Sequence, residues 1–114
     1  MNNIQSKPIY MTSEIIVNSD GRILNSDKIF CEIFNCKSTE VTYNSVILDY
    51  IVEAFRPTVV NAFIDTFYGK HESKLYEIKM IDFEGVPLDV TIKFSPVRTS
   101  NGEKATLVIR KKGF

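Results

Sequence analysis

The sequence predicts an α+β fold: a five-stranded antiparallel sheet with short helices covering one of its faces. Three observations carry this. Residues Phe83 to Arg98 read FEGVPLDVTIKFSPVR, in which Val86, Leu88, Val90, Ile92 and Phe94 alternate with Pro87, Asp89, Thr91 and Lys93. Strand side chains point to opposite faces in turn, so this pattern is a strand covered on one side and wet on the other. The middle of the chain instead carries apolar pairs at i, i+1, i+4 and i+5, the stripe of a helix. Strand-like segments flank that middle, giving the order β-β-α-α-α-β-β-β and an antiparallel sheet.

The elements follow in order. Met1 to Ser13 scatter Ile4, Ile9, Tyr10 and Met11 around Pro8, which forbids one uninterrupted helix, and residues 1–13 are read as an N-terminal cap or arm. Glu14–Asn18 and Arg22–Asn25 are short β-rich pieces joined by Ser19, Asp20 and Gly21, residues suited to a hairpin turn. The first helix carries Ile29, Phe30, Ile33 and Phe34, with Ser26 or Asp27 as its cap. The second carries Val46, Ile47, Tyr50, Ile51, Ala54 and Phe55, capped by Asn44 or Ser45. The third carries Val59, Val60, Phe63, Ile64, Phe67 and Tyr68, with Pro57 in its first turn and Gly69 at its end. Leu75–Ile81 is a strand with Tyr76, Ile78 and Met80 on one face. A turn at Phe83–Gly85 leads into the long strand, and a second turn at Thr99–Glu103 leads into the last, Lys104–Arg110.

With 114 residues the chain has room for one domain and no second enzymatic unit. Apolar residues at 44% and charged residues at 25% are ordinary globular values, so neither disorder nor a membrane segment is expected. Fourteen basic and fourteen acidic side chains cancel, and no Lys/Arg cluster interleaves with aromatics, which argues against a nucleic-acid partner. Arg110, Lys111 and Lys112 read as a solvated strand end. Cys31 and Cys36 are the only cysteines. Five apart on one helix, they would project about 140° from each other and could not meet. Two such thiols make neither a disulfide framework nor a zinc site, and no signal peptide is recognisable, so a reducing cytoplasm is the expected setting.

Asp20 to Cys36 (DGRILNSDKIFCEIFNC) and Phe83 to Arg110 resemble the hairpin-then-helix opening and the glycine turn, FSPVR ending, NGE hairpin and closing strand of PAS domains. The resemblance spans about residues 14 to 111, so residues 14–114 are read as a PAS-like sensory domain. Phe34 stands at the family's usual aromatic, Asn35 where a Gly is common, and Asp27 where an Asn is frequent. Lys111, Lys112 and Gly113 replace the family's Asp-Ile-Thr type junction to an output helix.

The resemblance implies a sensory input domain in signal transduction, acting on a partner or a fused effector such as a histidine kinase, cyclase or transcription regulator. It places a ligand cavity between the last helix and the inner sheet face, lined by Phe63, Phe67, Tyr76, Ile78, Ile92, Phe94, Leu107 and Ile109. Periodicity puts the same residues inside, where they could equally fill the core. The family's haem binders would require a His on the third helix, and Pro57–Tyr68 has none, so haem is not expected. The flavin adduct needs Asn-Cys-Arg in the helical middle, whereas Asn35, Cys36 and Lys37 fall on the first helix. A covalent flavin is therefore not expected, and the cofactor stays unknown. His71, the sole histidine, lies in a loop without partners for a metal site. No nucleophile, base and orienter converge in any motif, so no catalytic residue is assigned, and Glu77, Asp82 and Asp89 read as the wet sheet face. The alternative is a ligand-free interaction module. In either case a homodimer is expected, with Ile9, Tyr10, Met11 and Ile16 as the interface.

Overall fold

Five strands hydrogen-bond in the order β2-β1-β5-β4-β3, antiparallel throughout, in a computed structural model that describes residues 9–69, 73–99 and 102–113. The strands are β1 (Ile9–Asn18), β2 (Ile23–Asn25), β3 (Lys74–Ile81), β4 (Pro87–Thr99) and β5 (Gly102–Gly113). Between β2 and β3 lie the helices α1 (Lys28–Phe34) and α2 (Arg56–Tyr68), with short 3-10 turns between them. The first and last strands thus lie side by side inside the sheet, paired from Ile9 opposite Gly113 to Asn18 opposite Lys104.

The alternation read from the sequence sets the faces. Val90, Ile92 and Phe94 of β4 are buried with Ala105, Leu107 and Ile109 of β5, Ile15 and Val17 of β1, and Ile78 and Met80 of β3. Their neighbours Asp89, Lys93 and Glu77 face water. Val86 lies before β4 begins and is exposed. Two ends differ from expectation. β1 starts at Ile9, inside the segment read as an arm, and Ser13 is fully buried on its inner face. β5 runs on to Gly113, past the expected end at Arg110, so Lys111 and Lys112 pair with Met11 and Tyr10 while Arg110 and Lys112 stay exposed, as a solvated strand end.

The Ser19–Gly21 turn forms as expected. Gly21 takes a φ of 75°, a conformation that side-chain-bearing residues disfavour, and the Asn18 carboxamide oxygen accepts from the amides of Asp20 and Arg22. Gly85, with a φ of 84°, plays the same part between β3 and β4. Pro57 sits in the first turn of α2 and Gly69 follows its last residue.

The second expected helix is absent. Val46 to Phe55 instead forms the 3-10 turns Ile47–Tyr50 and Glu53–Phe55, preceded by a third at Thr39–Thr42. Backbone bonds to other elements account for this. The Ser45 carbonyl accepts from the amide of Ile23, the Ile47 amide donates to Gly21, and the Val52 amide donates to Lys79. Asn44, in the left-handed region with a φ of 63°, also breaks the regular path. Ile47 and Ile51 are both fully buried, one on each side of a turn, which reproduces a helical spacing without a helix.

Candidate functional site

α2 lies over the inner face of β4 and β5. Its Val59, Ala62, Thr66 and Phe67 are buried, whereas Val60, Ile64 and Tyr68 are exposed, so only half of the apolar stripe read from the sequence faces the sheet. Phe63 lies at the margin, half-buried.

The eight residues expected to line a cavity converge here. The register aligns Tyr76, Ile92 and Ile109 in one row across β3, β4 and β5, with Phe94 and Leu107 opposite each other in the next. Ile78, Ile92, Phe94, Leu107, Ile109 and Phe67 are buried, and Tyr76 is half-buried. The aromatic rings pack on one another. Phe94 meets Phe63 edge-on at 5.3 Å between centroids and Tyr76 at 5.7 Å, and Phe63 stacks on Phe67 at 5.9 Å. Such edge-on pairs add to the stabilisation from burial. Phe63 also reaches outward: with Gly21, Leu48, Val60, Ile64 and Phe67 it lines a groove of about 220 Å³ between α2 and the β1–β2 turn. Phe63 and the buried Phe67 thus belong both to the wall of that groove and to the packing around Phe94.

The four residues expected at a dimer interface do not share one face. Tyr10 and Ile16 are on the outer face, away from the helices, while Met11 is on the inner side and packs against the core. Ile9 and Tyr10 are exposed. The Arg110 guanidinium lies over the Tyr10 ring at 5.2 Å, and these two border an outer-face concavity of about 630 Å³ that Leu75, Glu77, Thr91 and Lys112 also line. His71 lies outside the described residues. Among the described residues no three or more His, Cys, Asp or Glu side chains gather as a metal would need, and no helix is long and apolar enough to cross a membrane.

A second cluster, at the far end of α1, went unread in the sequence. Asn35 ends the helix in the left-handed conformation, with a φ of 57°. This turns the chain back so that the Cys36 amide donates to the Cys31 carbonyl, and the two cysteines, their Cα atoms 4.5 Å apart, form a disulfide. The expectation that they could not meet is overturned, because Cys36 is not on the helix. Asn35 Nδ2 donates to Asp82 Oδ2 at 3.0 Å, and the Phe83 amide donates to the Phe34 carbonyl at 2.9 Å. Asp82 is not on the wet face either. It is nearly buried, and its Oδ1 accepts from the amides of Glu84 and Val86, both at 2.8 Å. The Val86 amide first, then Asn35, the Glu84 amide and the charge of Lys111, hold its carboxyl below the usual carboxylate range, against the opposing effect of burial. The signal that could have revealed this turn was Asn35 itself, since Asn is tolerated where a helix ends in the left-handed region.

No family model matches the sequence, and no curated protein does. Solved structures do. A PAS domain from a two-component sensor histidine kinase superposes with a TM-score of 0.75 at 11% identity, over 90% of this chain and 86% of that one. The PAS domain of a protein from Colwellia psychrerythraea gives 0.76 at 14% identity, over 90% and 86%. The Drosophila melanogaster Cycle PAS-B domain with bound ethylene glycol gives 0.72 at 7% identity, over 89% and 97%. These likenesses span sheet and helices together, with the strand order and helix placement described above, and the chain has the fold of a PAS domain.

Proposed function

We propose that the chain is a sensory input domain whose core responds to a small apolar or weakly polar molecule and passes the change to a partner or fused effector, without chemistry of its own. The position of Phe63 carries this reading. It is a partly buried ring that packs edge-on with Phe94 of the core and also lines the groove, so a molecule in the groove would press on a ring in direct contact with the core. At about 220 Å³ the groove alone is smaller than the roughly 300–1,000 Å³ of drug-sized sites. The ligand is therefore small, or it binds a minor packing in which Phe63 has swung out. A ligand shifts such an equilibrium only by its differential affinity for the two packings. The cytoplasm is the setting that suits this role.

The test is native and denaturing mass spectrometry of the purified protein for a retained compound, followed by thermal shifts against a panel of small phenols, indoles and alcohols. A binder at about a hundred times its Kd stabilises by about 2.7 kcal/mol. Phe63→Trp should abolish the shift while preserving the fold. No retained compound and no shift across the panel would leave a filled core and an interaction module.

Dimerisation has its own support. The exposed Tyr10 and Leu75 flank the outer-face concavity, on a sheet face that neither α1 nor α2 covers among the described residues. The homodimer proposed here uses that outer face, with Tyr10 and Ile16 from the expected set.

A further inference from the structure

We propose that Cys31 and Cys36 form a reversible thiol–disulfide switch that controls how firmly the end of α1 is held against the β3–β4 turn. The observation is one of connection. The disulfide closes a loop of which Phe34 and Asn35 are members, and those two residues make the bonds to the turn: the Phe34 carbonyl accepts from the Phe83 amide, and Asn35 Nδ2 donates to Asp82. Asp82 in turn orders the amides of Glu84 and Val86, in the turn that leads into β4. The disulfide thus fixes the backbone of the residues that hold two distant segments together.

Both cysteines are partly exposed, Cys36 while also packing against the core, so a thiolate can approach the bond from the solvent side. The Cα separation lies within the usual disulfide range of roughly 4.4–6.8 Å, so the bond can form without moving the backbone. Helix geometry with Cys36 as a continuation of α1 would carry the two sulfurs apart. The oxidised pair therefore stabilises the left-handed turn at Asn35, and the reduced pair permits that turn to relax. In compartments kept reducing, disulfides that do form are usually transient and redox-sensing.

The exchange needs only a monothiol couple of the glutathione class. One thiolate attacks a protein sulfur, forming a mixed disulfide and releasing the other cysteine as a thiolate that takes up a proton. A second thiolate attacks the small-molecule sulfur, releasing the oxidised dimer and the second protein thiol. Two electrons pass from two small thiols to the protein disulfide, and oxidised glutathione reverses the sequence.

The experiment compares hydrogen exchange of the wild-type protein equilibrated with oxidised and with reduced glutathione, with the mass difference of two hydrogens checked in parallel. The switch predicts interconversion in both directions, and exchange of the Phe83 and Cys36 amides at least about tenfold faster in the reduced state, with the Ile92 and Leu107 amides unchanged. The Cys31→Ser/Cys36→Ser variant should match the reduced protein in both buffers. A pair that stays reduced in excess oxidised glutathione, or stays bonded in excess reduced glutathione, overturns the proposal. So does an equal acceleration at all four amides, which would make the bond a general staple.

Discussion

Asp27 accepts three hydrogen bonds with two oxygens. Oδ1 takes the Phe30 amide at the start of α1 and the hydroxyl of the buried Ser13, while Oδ2 takes the Glu14 amide. An amide is as good a helix cap in general, but here its NH2 would face the Glu14 donor. Asp27→Asn should therefore cost about 1–3 kcal/mol although it is isosteric, and urea denaturation that finds the variant as stable as wild type would refute this. Asp82 gives a pH-dependent counterpart. Its folded-state carboxyl titrates below the unfolded one, so its stabilisation is complete above about pH 4 and is lost as the pH falls through the folded value. The melting-temperature gap between wild type and Asp82→Ala should be widest near neutrality and narrow as the solution is acidified through the folded-state titration; a gap independent of pH would assign the effect to packing. The one-dimensional pattern showed only part of these roles. The cap at Asp27 could be read from its neighbours, but its links to Ser13 and Glu14, like those of Asp82 to Asn35, join residues remote in sequence.

The strands were the most legible elements, because covering one face of a sheet forces a period of two that no other arrangement produces. In β4 the reading of Val90, Ile92 and Phe94 as inward holds, and burying such side chains is worth roughly 1.5–3 kcal/mol each. Ile92→Asp should leave the domain unfolded by circular dichroism, whereas Lys93→Asp, one residue on and exposed, should melt within a few degrees of wild type. Equal melting of the two would mean the faces are reversed. The helical middle was less legible. Apolar spacing records which side chains are buried, not which backbone groups they bring along, and between Asn44 and Phe55 those groups bond to Gly21, Ile23 and Lys79. α2 was placed correctly, but its stripe of six apolar residues covers both the buried and the exposed flank. A sequence can show that Val60 and Ile64 are apolar without showing that they stay exposed beside the groove at the β1–β2 turn.

For the whole molecule, the same limit applies to assembly. The expected interface mixed residues of both faces of β1, since an alternating strand cannot declare which face is outer until its neighbours are known. With the faces assigned, Tyr10→Glu combined with Leu75→Glu should convert the proposed dimer to a monomer in sedimentation velocity while leaving the circular dichroism spectrum intact. A wild type that sediments as a monomer at all concentrations would remove the dimer.

The neighbouring placement of β1 and β5 also has a mechanical meaning. Ile9 faces Gly113 across a strand spacing of about 4.8 Å, so the described chain enters and leaves at one corner of the sheet. Tension applied between those points would peel the two strands apart one hydrogen-bonded pair at a time, as a zipper opens, instead of shearing all their bonds together. The load would fall first on the pairing of Tyr10 with Lys112 and on the stacking of Tyr10 with Arg110, and reach the Ile15–Leu107 pair in the core only after several pairs had parted.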